Sequence, residues 1–178
     1  MELRRARPED ARVIAEVHVR SWKAAFTGLL PQDYLDALQP EDRLPQWQEA
    51  LSATTWPVVL LAEENGVVVG FVELAPSRDA DADVEAVGEV RTIYLDPGAW
   101  GGGVGSALLR AAEAELTRAG FRFATLWVLE TNARARGFYE RHGWTTDGGT
   151  QIHDWVAFSA PDVRYRRTLE SAAGPARG

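Results

Sequence analysis

The segment from Val90 to Leu109 constrains this chain more than any other. A β-branched and aromatic run, Val90-Arg91-Thr92-Ile93-Tyr94-Leu95, stops at Asp96-Pro97, and Gly101, Gly102, Gly103 and Gly105 then lead into a helix-forming stretch. Glycines placed between strand and helix let the backbone approach a bulky ligand and turn successive N–H groups toward one point. The helix adds its positive dipole end at the same point. That arrangement suits a phosphate or pyrophosphate. A strand-to-helix turn that needs only glycine flexibility accounts for the same residues, and the glycines alone do not separate the two readings.

The 178 residues suffice for one domain with one sizeable core. Hydrophobic residues at 46% and charged residues at 25% are ordinary for a globular protein. No apolar run approaches the roughly 20 residues that span a bilayer, so no membrane association is expected. Met1-Glu2-Leu3-Arg4-Arg5 lacks the apolar centre of a secretory signal. Without cysteine there is no disulfide and no thiolate metal site, and a cytoplasmic location is the default expectation. A net charge of −7 argues against nucleic acid as a partner, because that binding runs on cationic contacts to phosphate. The same charge weakly favours a cationic small substrate.

Along the chain, Glu2 to Ala6 reads as a strand, and Pro8-Glu9-Asp10 opens a helix. Ala11, Ile14, His18, Trp22 and Ala25 recur on one face of that helix. Helical pieces follow around Tyr34–Leu38 and Arg43–Ser52. Pro57–Glu64 and Val67–Leu74 form a hairpin about Asn65-Gly66. Ser77–Asp83, small and acidic, reads as a mobile loop. Glu85–Leu95 is the next strand and Gly103–Ala119 the next helix, closed by Gly120. A buried strand at Phe123–Leu129 precedes a short helix, Ala133–His142. Two late strands are expected near Trp144–Thr146 and Val163–Thr168. This order implies a mixed α/β sheet covered by helices.

The glycines do not fit the better-known phosphate loops. A dinucleotide fingerprint needs its glycines directly after the strand and a third where Ser106 stands, whereas Asp96 to Trp100 intervene. A nucleoside-triphosphate loop needs a terminal Gly-Lys-Ser/Thr, and the lysine is absent there. A second motif decides the matter: Leu126-Trp127-Val128-Leu129-Glu130-Thr131-Asn132-Ala133-Arg134-Ala135-Arg136-Gly137-Phe138-Tyr139-Glu140-Arg141-His142-Gly143-Trp144. The two motifs in this order, one helix apart, resemble the GNAT superfamily of acetyl-CoA-dependent N-acetyltransferases.

The resemblance implies a central mixed, mostly antiparallel sheet of six to seven strands with helices on both faces, splayed where the cofactor enters. Residues 1–170 would form this domain and 171–178 an unstructured tail. Acetyl-CoA would be the co-substrate, a primary amine on a small molecule or a protein N-terminus the acceptor, and a homodimer a possible assembly. The pyrophosphate would sit at Trp100-Gly101-Gly102-Gly103-Val104-Gly105 and Ser106, held by backbone N–H groups. Trp100 stands where the family usually has Gln or Arg, and Gly102 where a basic residue is common, so the loop lacks their charge. That departure motivates an alternative, a non-catalytic acyl-CoA-binding sensor. The pantetheine arm would pair with Ile93, Tyr94 and Leu95.

Single residues carry two readings each. Asn132 matches the position that helps hold the pantetheine arm, and is also a good helix N-cap. Tyr139 matches the general acid that protonates the leaving thiolate, and equally suits an aromatic core. Glu89 stands where several family members carry the base that deprotonates the amine, with Glu85 as second choice. An ion pair between Glu89 and Arg91, on one strand face, is the alternative. Trp22, Phe26 and Tyr34 match the helices that wall the acceptor pocket, although helical spacing also suits plain core. His18 reads as a satisfied buried histidine. No His, Asp or Glu spacing suggests a metal site.

Overall fold

The computed structural model describes residues 1–155 and 158–169. Seven strands, β1 (Glu2–Arg5), β2 (Val58–Glu64), β3 (Val67–Pro76), β4 (Val87–Leu95), β5 (Phe123–Leu129), β6 (Thr145–Trp155) and β7 (Phe158–Thr168), form one sheet. Their order is β1-β2-β3-β4-β5-β7-β6, antiparallel throughout except for β4 beside β5. The expected mixed sheet of six to seven strands is therefore present.

Helices cover both faces. On one side α1 (Ala11–Ala25), after a 3₁₀ turn at Pro8–Asp10, packs with α3 (Pro40–Ser52). Ile14, Val17 and Trp47 meet Val59, Leu61 and Phe71 there. On the other side α4 (Val104–Arg118) sets Leu108, Ala112 and Leu116 against Val72, Leu74 and Val90. All three α4 residues are fully buried. Each buried leucine removes apolar surface worth about 1.5–3 kcal/mol. Gly88 permits this close seating, because a Cβ there would meet Leu116 Cδ2 at 2.6 Å. The short α2 (Gln32–Ala37) caps the end of α1, and α5 (Ala133–Arg141) follows β5. Among the described residues no helix is long and apolar enough to cross a membrane.

Two segments differ from their sequence reading. The late strands form one long hairpin, because Asp147, Gly148 and Gly149 do not break β6. They are absorbed as an irregularity between Thr146 (opposite Tyr165) and Thr150 (opposite Val163), with Gly148 at φ +88°. The acidic segment at 77–83 is pinned. Arg164 on β7 binds Asp79, Asp81 and Asp147, and Trp127 Nε1 donates to Asp79 Oδ1 at 2.9 Å. The proposed tail, 171–178, lies outside the described residues.

Candidate active site

The site begins where the sheet opens. β4 and β5 pair only at Val87–Phe123, Gly88–Ala124 and Glu89–Thr125. Beyond those three pairs the strands part. Opposite Glu73 and Leu74 on β3 stand Thr92 and Val90, so Arg91 is an extra residue that bulges from β4 at the apex of the wedge. The resulting cleft of about 530 Å³ is lined by Val90–Leu95, Trp127–Leu129, the glycine loop, the inner face of α5 and the end of α1. That volume is in the range of small-molecule sites.

One end of the cleft is made largely from backbone. Gly101 and Gly103 adopt φ of +79° and +85°, which L side chains rarely take, and Gly103 caps α4. The first helical hydrogen bond runs from Ala107 N–H to the Gly103 carbonyl, so the amides of the preceding turn have no intrahelical acceptor. Ile93, Tyr94, Leu95, Trp100, Gly101, Gly103, Gly105 and Ser106 all line the cleft. Gly102 is exposed at the loop's outer side, and the Val104 side chain is buried in the core. His142 braces the helix start: its Nδ1 lies 2.8 Å from the Phe138 carbonyl and its Nε2 2.9 Å from Ser106 Oγ. A cation is present after all. The Arg134 guanidinium, from the first turn of α5, stacks 3.5 Å from the Trp100 ring centre, and both residues line the cleft with Arg141.

α5 carries two further sequence candidates. Asn132 caps the helix, its Oδ1 accepting from Ala135 N–H at 3.0 Å, which leaves the amide N–H donors for another partner. Tyr139 packs among Phe138, Trp144 and Tyr165, yet lines the cleft. Core packing and a place on the cleft wall coexist in this one side chain. Burial, with a smaller contribution from Tyr94, pushes the Tyr139 phenol well above its ordinary value and keeps it protonated at neutral pH.

The other end is built from side chains of distant segments. Ser21, Ala25 and Phe26 line it. Trp22 stacks behind Phe26 at 4.9 Å, and Tyr34 packs against Trp22 and Phe158, so these two support the wall instead of forming its surface. His18 accepts from Trp47 Nε1 at 3.2 Å and stacks on Tyr94 at 4.9 Å. Burial, and then the charge of Arg43, push His18 down to about 3, so the ring is neutral. Burial likewise pushes Tyr94 up to about 12. Glu89 is buried but does not line the cleft. Both of its oxygens accept from Arg78, at 2.9 and 3.1 Å, and Arg91 Nε lies 3.8 Å away. Glu85 is exposed outside the strand. Glu73 stands closer to the open strand, 3.7 Å from Arg91 Nη1, and burial raises its carboxyl above the ordinary range.

Comparison with known proteins supplies the family. Residues 19–144 match the acetyltransferase (GNAT) family, a span that holds the strand, the glycine loop, α4, β5 and α5. The chain belongs to that family. An uncharacterised N-acetyltransferase of Bacillus subtilis, YuaI, is 33% identical over 73% of this chain and 72% of its own length. Two solved structures share the fold. The PaiA N-acetyltransferase of Thermoplasma acidophilum, in complex with coenzyme A, is 23% identical with a TM-score of 0.70, over 94% of this chain and 98% of its own. A putative acetyltransferase of Salmonella typhimurium, yncA, with acetyl-CoA, is 22% identical with a TM-score of 0.71, over 98% and 97%.

As an acetyltransferase, the protein is an enzyme, and the sensor alternative raised by Trp100 and Gly102 gives way. The charge missing from the loop arrives from α5 as Arg134. Sequence reading missed this cation because stacking on Trp100 joins residues 34 positions apart. It also missed Arg78 and Glu73, whose roles depend on which strands are neighbours. The one available signal was the alternation of Phe71, Glu73 and Ala75, which places Glu73 on the α1 face of β3.

Proposed function

We propose that this acetyltransferase moves the acetyl group of acetyl-CoA directly to a primary amine, both bound in the wedge at once. The acyl donor is acetyl-CoA, and the residues present suit it. The diphosphate meets the first-turn amides of α4 and the Arg134 and Arg141 charges. The pantetheine arm runs from there back along Ile93–Leu95. In a strand, alternate N–H groups face opposite edges, so those not taken by β3 point into the wedge. They can pair with the arm and polarise the thioester carbonyl. Asn132 offers its amide donors to the arm.

The bound acceptor must first lose a proton from its ammonium group. We assign that proton to Glu73 through solvent in the cleft, since neither Glu73 nor Glu89 lines it. Desolvation raises the Glu73 carboxyl and makes it a better proton acceptor than an ordinary carboxylate. Glu89, committed to the Arg78 fork, fixes that arginine and Arg91. The amine nitrogen then attacks the carbonyl carbon, and the N–C bond forms as the C–S bond breaks. Tyr139 gives its phenolic proton to the departing sulfur. The second nitrogen proton restores Tyr139, and the Glu73 proton passes to water. One proton is released per turnover.

The observation that carries this reading is Tyr139, a phenol that lines the same cleft as the open stretch of β4. Tyr139→Phe should lower kcat by about 100-fold or more. Coenzyme A affinity, measured by calorimetry, should stay within about twofold. Unchanged thiol release in this variant removes Tyr139 from the mechanism.

A further inference from the structure

Arg91 stands apart from the paired arginines around it. It sits at the bulge where β4 leaves β5, lines the cleft, and is 22% exposed. The nearest carboxylate oxygens, on Glu73 and Glu89, are 3.7 and 3.8 Å away, outside hydrogen-bond distance. Its Nε is buried without a hydrogen-bond partner, and so is the hydroxyl of the adjacent cleft residue Thr92. Arg43 also has a buried Nε without a hydrogen bond, but its Nη2 donates to the Tyr34 hydroxyl at 3.3 Å. Arg78 makes a two-bond fork to Glu89, and Arg164 reaches three aspartates. A half-buried guanidinium offers five donors in a planar fork suited to a carboxylate, and groups of this kind are normally used.

The geometry points to Arg91 as the seat for an anionic group carried by the acceptor beside its amine. The acceptor class is then a small zwitterion of the amino-acid type. This rests on the acetyl-transfer reading above. The donor enters at the glycine loop and runs back along β4, so its reactive end lies toward the apex that Arg91 occupies. A carboxylate on Arg91 would hold the neighbouring amine at that end. The charges agree: Arg78 and Arg91 face Glu73 and Glu89, two against two, so a zwitterion enters without adding net charge.

The test uses the full chain, acetyl-CoA and matched acceptor pairs: free amino acids beside the amines that lack only the carboxyl group, with thiol release as readout. The acid of the preferred pair should exceed its amine in kcat/KM by about 10- to 100-fold, as a charge-assisted pair supports. Arg91→Gln should collapse that ratio toward one, mainly by raising KM for the acid, and Arg91→Lys should restore part of it. Melting temperature and coenzyme A affinity report whether each variant is folded. Equal turnover of acid and amine, or a ratio untouched by Arg91→Gln, overturns the proposal. Thiol release with amines alone also overturns it and leaves acetyl transfer standing. Silence with every acceptor, although coenzyme A binds, removes both.

Discussion

The two ends of the cleft are made by different means. The proposed donor end uses backbone: left-handed glycines at 101 and 103, open amides at the start of α4, and the free edge of β4. The proposed acceptor end is backed by side chains brought from distant segments: Arg78 to Glu89, Arg91 between Glu73 and Glu89, and His18 under Tyr94. Backbone geometry serves any ligand with the same phosphate and amide groups. Side-chain pairs can be exchanged one at a time, so the acceptor end can vary while the donor end is kept. The difference also concerns stability, since buried charge carries a desolvation cost that glycine turns do not.

The largest expected effect on stability at neutral pH falls on that buried charge. Arg78→Met would leave the Glu89 carboxylate, 3% exposed, with Arg91 at 3.8 Å as its nearest cation. A loss of about 2 kcal/mol should follow, or about 4–8 °C in melting temperature. Arg78→Met with Glu89→Leu should recover part of it. No shift in the single variant would mean that the acceptor end does not depend on the pair. Next comes His18. Its folded value of about 3 lies below the roughly 6.5 of an unfolded histidine. Between those values the unfolded chain binds a proton that the folded chain refuses. Stability is therefore full above about pH 6.5 and falls as pH drops, by about 1.4 kcal/mol per unit. Chemical denaturation of His18→Gln from about pH 6 to pH 4 should show that part of the slope removed. An unchanged slope would place the acid sensitivity elsewhere.

Legibility in the sequence followed the same division. The local geometry of the proposed donor end was readable because φ preference, helix capping and strand alternation act over a few residues. The Val90–Leu109 segment and the Asn132–Tyr139 motif carry their geometry within themselves. The β6–β7 hairpin was underestimated because Asp147-Gly148-Gly149 has turn composition, while pairing with β7 on both sides of it decides the outcome. The segment at 77–83 read as mobile because nothing near it in sequence shows that Arg164 will arrive from 83 and 85 residues away. Glu89 was visible as a strand carboxylate, but Arg78, its closest partner, lay in that same loop. Trp22, Phe26 and Tyr34 were read together as wall residues, whereas the depth that puts Phe26 alone of the three on the cleft surface is a packing result.

The smallest effect tests the proposed donor end at one of its side-chain contributions, Arg134. If backbone amides carry most of the diphosphate binding, Arg134→Ala should weaken coenzyme A only about threefold at low salt. An exposed cation beside a phosphate contributes that order of free energy. The difference should shrink further near 0.5 M salt, because exposed charges are screened beyond a few ångströms. Trp100→Ala should produce a loss of similar size, since removing the ring frees the guanidinium it holds. The two losses should not add in the double variant, because each removes the same stacked pair. A loss of about 100-fold in Arg134→Ala would reverse the comparison: the donor end would then rest on a side chain as much as the acceptor end does, and the loop glycines would serve only to make room for it.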